Sequence, residues 1–159
     1  GLEQGDPKAY GLNAVEIRPG VIHKDANVTV TAFAVPHAGW KDSYGFRFDT
    51  PRGAIVISGD TTPAQSVIDA CKGCAVLVHE VYSTLGFSKR TTPWQKYHAN
   101  AHTSSVELGR IAAEAKPTLL VLYHQLLWSA TEAQLMEEIR SVYAGPVRYG
   151  NDLDVIELP

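Results

Sequence analysis

Residues 28–35, "VTVTAFAV", alternate β-branched and small side chains with the two-residue period of a strand that buries one face. The same period over 43–49 sets Tyr44, Phe46 and Phe48 on one side, and 54–58, "AIVIS", is a continuous apolar run; Pro51, Arg52 and Gly53 make the turn between them. Two further buried runs follow, "AVLVH" at 75–79 and "TLLVLYH" at 118–124, and "DLDVIEL" at 152–158 reads as a closing strand. Between these runs the period changes to that of a helix. Thr62 and Pro63 look like a hydroxyl cap and a first-turn proline, with Val67, Ile68 and Cys71 on one face behind them. Ser104 with Glu107 forms a capping box ahead of Leu108, Ile111, Ala112 and Ala115, and Thr131 with Gln134 forms a second ahead of Leu135, Ile139 and Val142. Residues 83–101 are polar and read as one long loop, the kind that is usually functional in a compact domain. The first 27 residues, punctuated by Gly5, Pro7, Gly11, Pro19 and Gly20, read as loop with short strands.

The predicted order is therefore three strands, helix, strand, helix, strand, helix, strand. Strands alternating with helices of this length imply α/β layering. In such sheets ligands gather at the carboxyl ends of the strands, where this reading puts Asp60, His79 and His124.

A length of 159 residues fits one domain spanning 1–159, with enough chain to bury a core. A net charge of −3 argues against a broad electrostatic grip on nucleic acid, so any phosphate must be bound locally. No apolar run is long enough for a membrane span, and no leader-like segment is recognisable at 1–24, which leads us to expect a cytoplasmic protein without a membrane partner. Cys71 and Cys74 form a lone CxxC. Half a zinc site and a redox pair are both formal readings, but no second pair exists and the two sit at a helix end, so they read as small buried free thiols in a reducing setting.

An isolated ionised carboxylate is costly to remove from water, so Asp60 at the end of a buried strand needs a partner. The plain explanation is that it caps the helix opening at Pro63. Among the six histidines, His37 follows a strand, His102 precedes a helix and His124 ends a strand, so with Asp60 four polar residues stand at comparable element ends. Imidazole and carboxylate together suit zinc and similar divalent ions, and the two oxygens of a carboxylate allow Asp60 to bridge a pair of them. His79 reads as structural, His23 as a surface residue, and His98 as a residue of the polar loop, solvent-exposed by default and able to touch substrate.

The series "VPHAGWKDSYGFRF", "VISGDTTP", "VLVHEVYS", "AHTSSVELGRIAAEAKP", "LLVLYH" resembles the carboxyl-terminal half of the metallo-β-lactamase fold, in the branch that holds ribonuclease Z and arylsulfatase-like hydrolases. The resemblance implies half of an αββα sandwich, a mixed sheet with helices on one face. It implies metal ligands at His37, Asp60 and His124, two zinc ions per complete site (manganese or iron being the alternatives), and a catalytic pair in which Glu80 orients His102 toward the scissile group. His98 is carried as the substrate-binding candidate. The implied activity is hydrolysis of a phosphodiester, sulfate ester or similar small substrate by a zinc-bridged hydroxide. Processing of precursor tRNA is the second choice, because only residues 38–59 separate His37 from Asp60, where ribonuclease Z commonly carries a tRNA-binding arm. The family's HxHxDH string is absent from these 159 residues. That leads us to expect a piece of a longer enzyme, weak metal binding and little activity by this chain alone, and a missing amino-terminal half or a second copy as partner. A non-catalytic binding or assembly module built on the half-fold is the remaining alternative.

Overall fold

A computed structural model describes residue 11 and residues 14–159; the sequence expectations for residues 1–10, 12 and 13 lie outside the described residues. Seven strands form one sheet whose spatial order is their chain order: β1 (Gly20–Lys24), β2 (Thr29–Ala34), β3 (Tyr44–Thr50), β4 (Gly53–Ile57), β5 (Val76–Tyr82), β6 (Leu119–Leu126) and β7 (Val147–Tyr149). The first four pair antiparallel, β1 with β2 and β3 with β4 through short turns and β2 with β3 through the longer 35–43 connection, and β4 to β7 pair parallel. Each parallel step needs a crossover, supplied by α1 (Gln65–Cys71), α4 (Ser105–Ala115) and α5 (Glu132–Arg140). Crossovers share one hand, so a sheet that grows in one direction collects its helices on one face. Accordingly α1 packs on α4, and α4 on α5. Gly109 permits the second approach, since a Cβ there would lie 3.2 Å from the carbonyl oxygen of Ile139.

Register rows explain the core. Val56, Leu77, Leu120 and Val147 lie across neighbouring strands on the helical side, and with Leu108, Leu135 and Ile139 they form one cluster. Full burial of each leucine contributes about 1.5–3 kcal/mol. The other row, Ala32, Phe46, Ile57, Val78 and Val121, is also apolar and lies on the opposite face. No helix of the described residues is long and apolar enough to cross a membrane.

Four expectations need correction. Residues 83–101 are not a loop: Ser83, whose hydroxyl accepts from the Gly86 amide, starts α2 (Thr84–Ser88), and Thr91 precedes α3 (Thr92–Ala99), which carries a proline in its first turn. Helix α1 begins at Gln65 rather than Pro63 and has no side-chain cap, because its cap position is Ala64, which carries no polar side chain, while the Thr62 amide upstream is taken by the Pro36 carbonyl. The closing strand is Val147–Tyr149; after it an Asn151–Asp154 turn deflects the chain, leaving Leu153 98% and Val155 85% exposed. Finally, Cys71 and Cys74 are buried as expected but joined in a disulfide. Left-handed backbone at Lys72 and Gly73 folds the chain back until the two Cα atoms are 4.7 Å apart, within bridging range.

His79 is a fully buried structural residue on the helical side of β5, as its pairing with Leu122 requires. Its Nδ1 donates to the Glu80 carbonyl at 2.7 Å and its Nε2 has no partner. Burial depresses its pKa below the usual 6.5, so as pH falls the unfolded chain takes the proton first. The stability due to neutral His79 is complete above the unfolded value and is lost as pH drops through the depressed folded value. Urea unfolding at about pH 7.5 and about pH 5.5 is therefore expected to show a steeper decline for the wild type than for His79→Leu. Equal declines would remove His79 from the acid response.

Candidate functional site

Asp60 ends the turn after β4. That turn depends on Gly59, whose φ is +66° and where a Cβ would stand 2.6 Å from the Tyr44 carbonyl oxygen. Asp60 lies four residues before the α1 cap position, so it does not cap that helix. Its Oδ2 is instead 3.6 Å from His124 Nε2.

His124 does not end β6, which continues to Leu126. Glu80 pairs with Tyr123 and Val81 with Gln125, leaving His124 as the extra residue of a bulge, with φ +44°. A bulge re-aims a side chain out of the sheet's alternation, and left-handed backbone at a non-glycine residue is a strain that persists where neighbours enforce it. The result is a histidine turned to Asp60.

His102 lies between the α3 end and the cap of α4, where the Tyr82 amide donates to the Thr103 carbonyl at 2.9 Å. One ligand-type atom from each of Asp60, His102 and His124 lies within 4.8 Å of the other two. His102 and His124 are stacked at 5.4 Å, and His37 meets His102 edge-on at 5.4 Å. His37 stands beside the three-residue group without belonging to it. Its Nδ1 donates to the Ala101 carbonyl at 2.8 Å, which assigns the proton to Nδ1 and keeps the Nε2 lone pair available to an ion.

Glu80 is wholly buried. Its Oε1 accepts from the Thr103 amide at 2.8 Å and from the Thr61 amide at 3.4 Å, so it ties the Asp60 turn to the His102 turn. Oε2 is 3.4 Å from His102 Nδ1, and neither atom has another partner. Burial pulls the His102 pKa down, but the adjacent Glu80 carboxylate and the charge of Asp60 outweigh it and hold the value above the ordinary one. Tyr123, next to the bulge, was not singled out by sequence; burial first, then Asp60 and Glu80, push its phenol up to about 12, so it stays protonated.

His98 departs most from expectation. It is 8% exposed, not solvent-facing, and packs between Trp94 at 5.6 Å and Trp128 at 4.7 Å, with His102 at 5.6 Å. Burial lowers its pKa, assisted by the nearby His102 and Arg90 charges. The Arg90 guanidinium lies over both tryptophans, at 5.3 and 5.5 Å. His23 is a surface residue as expected, 3.2 Å from Asp25.

A separate carboxylate secures this region from behind. Glu138 of α5 accepts from the Thr84 and Leu85 amides at 2.8 and 2.9 Å and from the hydroxyls of Ser83 and Ser105. It thereby joins the segment just after Glu80 to the segment just after His102.

Residues 2–125 match the family described as "Beta-lactamase superfamily domain". Ribonuclease Z of Myxococcus xanthus is 34% identical over 110 residues, covering 69% of this chain and 34% of that protein. The putative ribonuclease Z of Mycobacterium tuberculosis is 26% identical over 133 residues, covering 82% of this chain and 59% of the relative. Among solved structures, the metallo-β-lactamase fold protein YhfI from Bacillus subtilis superposes with a TM-score of 0.67 at 22% identity, over 86% of this chain and 52% of that one. The short form of human tRNase Z superposes with a TM-score of 0.60 at 22% identity, over 87% and 46%. The chain thus spans from about a third to three fifths of the length of these relatives.

Proposed function

The chain belongs to the β-lactamase superfamily, and from that premise we propose that it carries one side of the active site of a metal-dependent hydrolase acting on a phosphodiester, sulfate ester or similar small substrate. The observation that carries the reading is the convergence of Asp60, His102 and His124 from three separate turns, with a buried carboxylate behind the middle residue.

The donor set fits a divalent ion. The Asp60 carboxylate and the His124 imidazole lie within 4.8 Å of each other, and His37 beside them adds a second imidazole whose other nitrogen is already anchored, a mix suited to zinc, manganese or iron. Asp60, His124 and His37 are the residues we assign to hold metal. When bound, such an ion supplies Lewis-acid polarisation of the ester and lowers the pKa of water. The protein's own part is positional. Glu80 holds a proton on His102 Nδ1, which keeps the imidazole oriented toward the centre; Tyr123 keeps a neutral hydroxyl beside Asp60; the buried His98 and its tryptophans shield one side from water.

A second reading, cleavage of precursor tRNA, is favoured by the likeness to proteins named ribonuclease Z. The short 38–59 interval supports the small ester instead.

The full-length protein assayed on bis-p-nitrophenyl phosphate, an aryl sulfate and precursor tRNA is expected to turn over the first or second, with activity lost on chelation and restored by zinc. Efficient cleavage of tRNA alone would favour the second reading. Turnover of none would sink both.

A further inference from the structure

Of the arginines in the chain, all but Arg47 and Arg90 are exposed. Arg47 is fully engaged: its Nε and Nη2 donate to Asp49 and its Nη1 to the Ala70 carbonyl. Arg90, in the link between α2 and α3, is not. Its Nε is buried without a hydrogen bond, and no carboxylate among the described residues pairs with it. A partly buried charge without a counter-ion is costly, so something must compensate it. Two indoles do so in part, with the guanidinium 5.3 Å from the centre of the Trp94 ring and 5.5 Å from that of Trp128. Cation–π attraction holds the charge in place but needs none of the five N–H donors, which stay free for an oxyanion.

Trp128 is placed there at a cost. Its φ of +50° is left-handed, a conformation rare for a bulky residue, and its indole packs among Tyr82, Phe87 and His98. Gly86 admits this segment, since a Cβ there would collide with the Leu127 carbonyl oxygen. Such strain persists where the surroundings enforce it, and it collects at binding sites. The same stretch of chain carries His124 with φ +44°, so one left-handed residue turns a metal-site histidine to Asp60 and the other seats an indole against Arg90. The two are linked. Buried His98, whose Nδ1 has no partner, lies 4.7 Å from Trp128 and 5.6 Å from His102, and the Arg90 charge reaches it. Arg90 therefore stands one imidazole away from His102.

We infer that Arg90 is a specificity residue of the proposed site and binds a second anionic group of the substrate, separate from the ester that is cleaved. This rests on the hydrolase reading and narrows it: the preferred substrate carries a carboxylate or a further phosphate besides its scissile group. Charge selects the occupant. Asp60 and Glu80 already face His102 with negative charge, whereas Arg90, reached through His98, has no anion, and a neutral group there would leave the guanidinium uncompensated. Bis-p-nitrophenyl phosphate lacks a second anionic group, so it reports on cleavage and not on this contact.

The test is binding to the full-length protein in EDTA, independent of metal and turnover. The probes are alkyl phosphates of increasing chain length that end in a methyl group, a carboxylate or a second phosphate. At one chain length a carboxylate-ended or phosphate-ended probe is expected to bind about tenfold more tightly than its methyl-ended counterpart, and to shift the Arg90 Nε–H and Trp128 indole signals in NMR. Arg90→Gln is expected to abolish that gain, and Arg90→Lys, which keeps the charge but loses the planar fork, to keep a smaller one. A gain with the carboxylate, with the phosphate or with both identifies the second group, and each supports the assignment. No gain at any length, a gain undiminished in Arg90→Gln, or shifts confined to His37, His102 and His124 overturns it. If Arg90→Gln does not fold, the wild-type Arg90 Nε–H signal decides: a gain that leaves it unmoved also overturns the assignment. A protein that shows the gain but no zinc-dependent turnover would overturn the hydrolase reading only.

Discussion

Exchanging Asp60 for Asn in the full-length protein is expected to lower kcat/KM on bis-p-nitrophenyl phosphate by about a thousandfold or more and to lower bound metal with it. The side chain is isosteric, so the change removes one thing: the negative charge that faces the His124 imidazole at 3.6 Å. An amide oxygen is a poorer ligand than a carboxylate for a zinc-type ion, so the variant would hold such an ion less tightly. Asp60 is about one third exposed, and surface pairs contribute at most about 1 kcal/mol, so the unfolding midpoint should hardly move. Metal content by atomic emission, together with kinetics and urea unfolding, separates these quantities. Full metal occupancy in an inactive Asp60→Asn variant would show that this residue acts on the substrate instead; unaltered activity would remove it from the site.

The second large effect is expected at the Glu80–His102 pair. Glu80→Gln retains an oxygen for the Thr103 amide but no longer stabilises the proton on His102, and we expect a loss of about 10–100-fold in kcat, with the His102 pKa falling toward or below the ordinary value because burial is then opposed only by Asp60. Glu80→Ala is different in kind. It leaves buried amide and imidazole groups without a partner and should cost about 3–5 kcal/mol of stability in urea. His102→Ala should lower turnover while sparing metal, and the double variant His102→Ala/Glu80→Gln should be no slower than His102→Ala alone, since the carboxylate acts through the imidazole. Metal lost from His102→Ala as readily as from Asp60→Asn would make His102 a ligand, an assignment its place within 4.8 Å of Asp60 and His124 keeps in view.

What could be read from the chain was what local chemistry determines. The runs around Ile55, Leu77 and Leu120, and the boxes Ser104–Glu107 and Thr131–Gln134, specify their elements through neighbours only a few residues away, and all of them appear in the fold. Element ends placed Asp60, His102 and His124 together correctly, but they also included His37, which stands beside the group, and they put His124 at a strand end where the structure has a bulge. Other features depend on residues distant in sequence. The bulge at His124 exists only relative to β5, so no pattern within "VLYH" reveals it. His98 looks like an exposed loop residue until Trp128, thirty positions on, covers it. The missed helices α2 and α3 are short and polar, the weakest case for periodicity, although the Ser83 and Thr91–Pro93 signals were present. The displaced last strand reflects three residues, Val147, Arg148 and Tyr149, too few to stand out against the longer apolar pattern that follows them.

Glu138 gives the molecule a cooperative unit. Because one carboxylate accepts from two amides at the start of α2 and from hydroxyls on both flanking segments, opening any one of them weakens the shared anchor of the rest. Slow amide exchange at Thr84 and Leu85, matching that of the sheet interior rather than that of neighbouring surface turns, would be its signature. The placement of Glu80 would then be preserved by an anchor on a different helix, and thermal wear on α5 would reach the proposed site before Asp60, His102 or His124 themselves had moved.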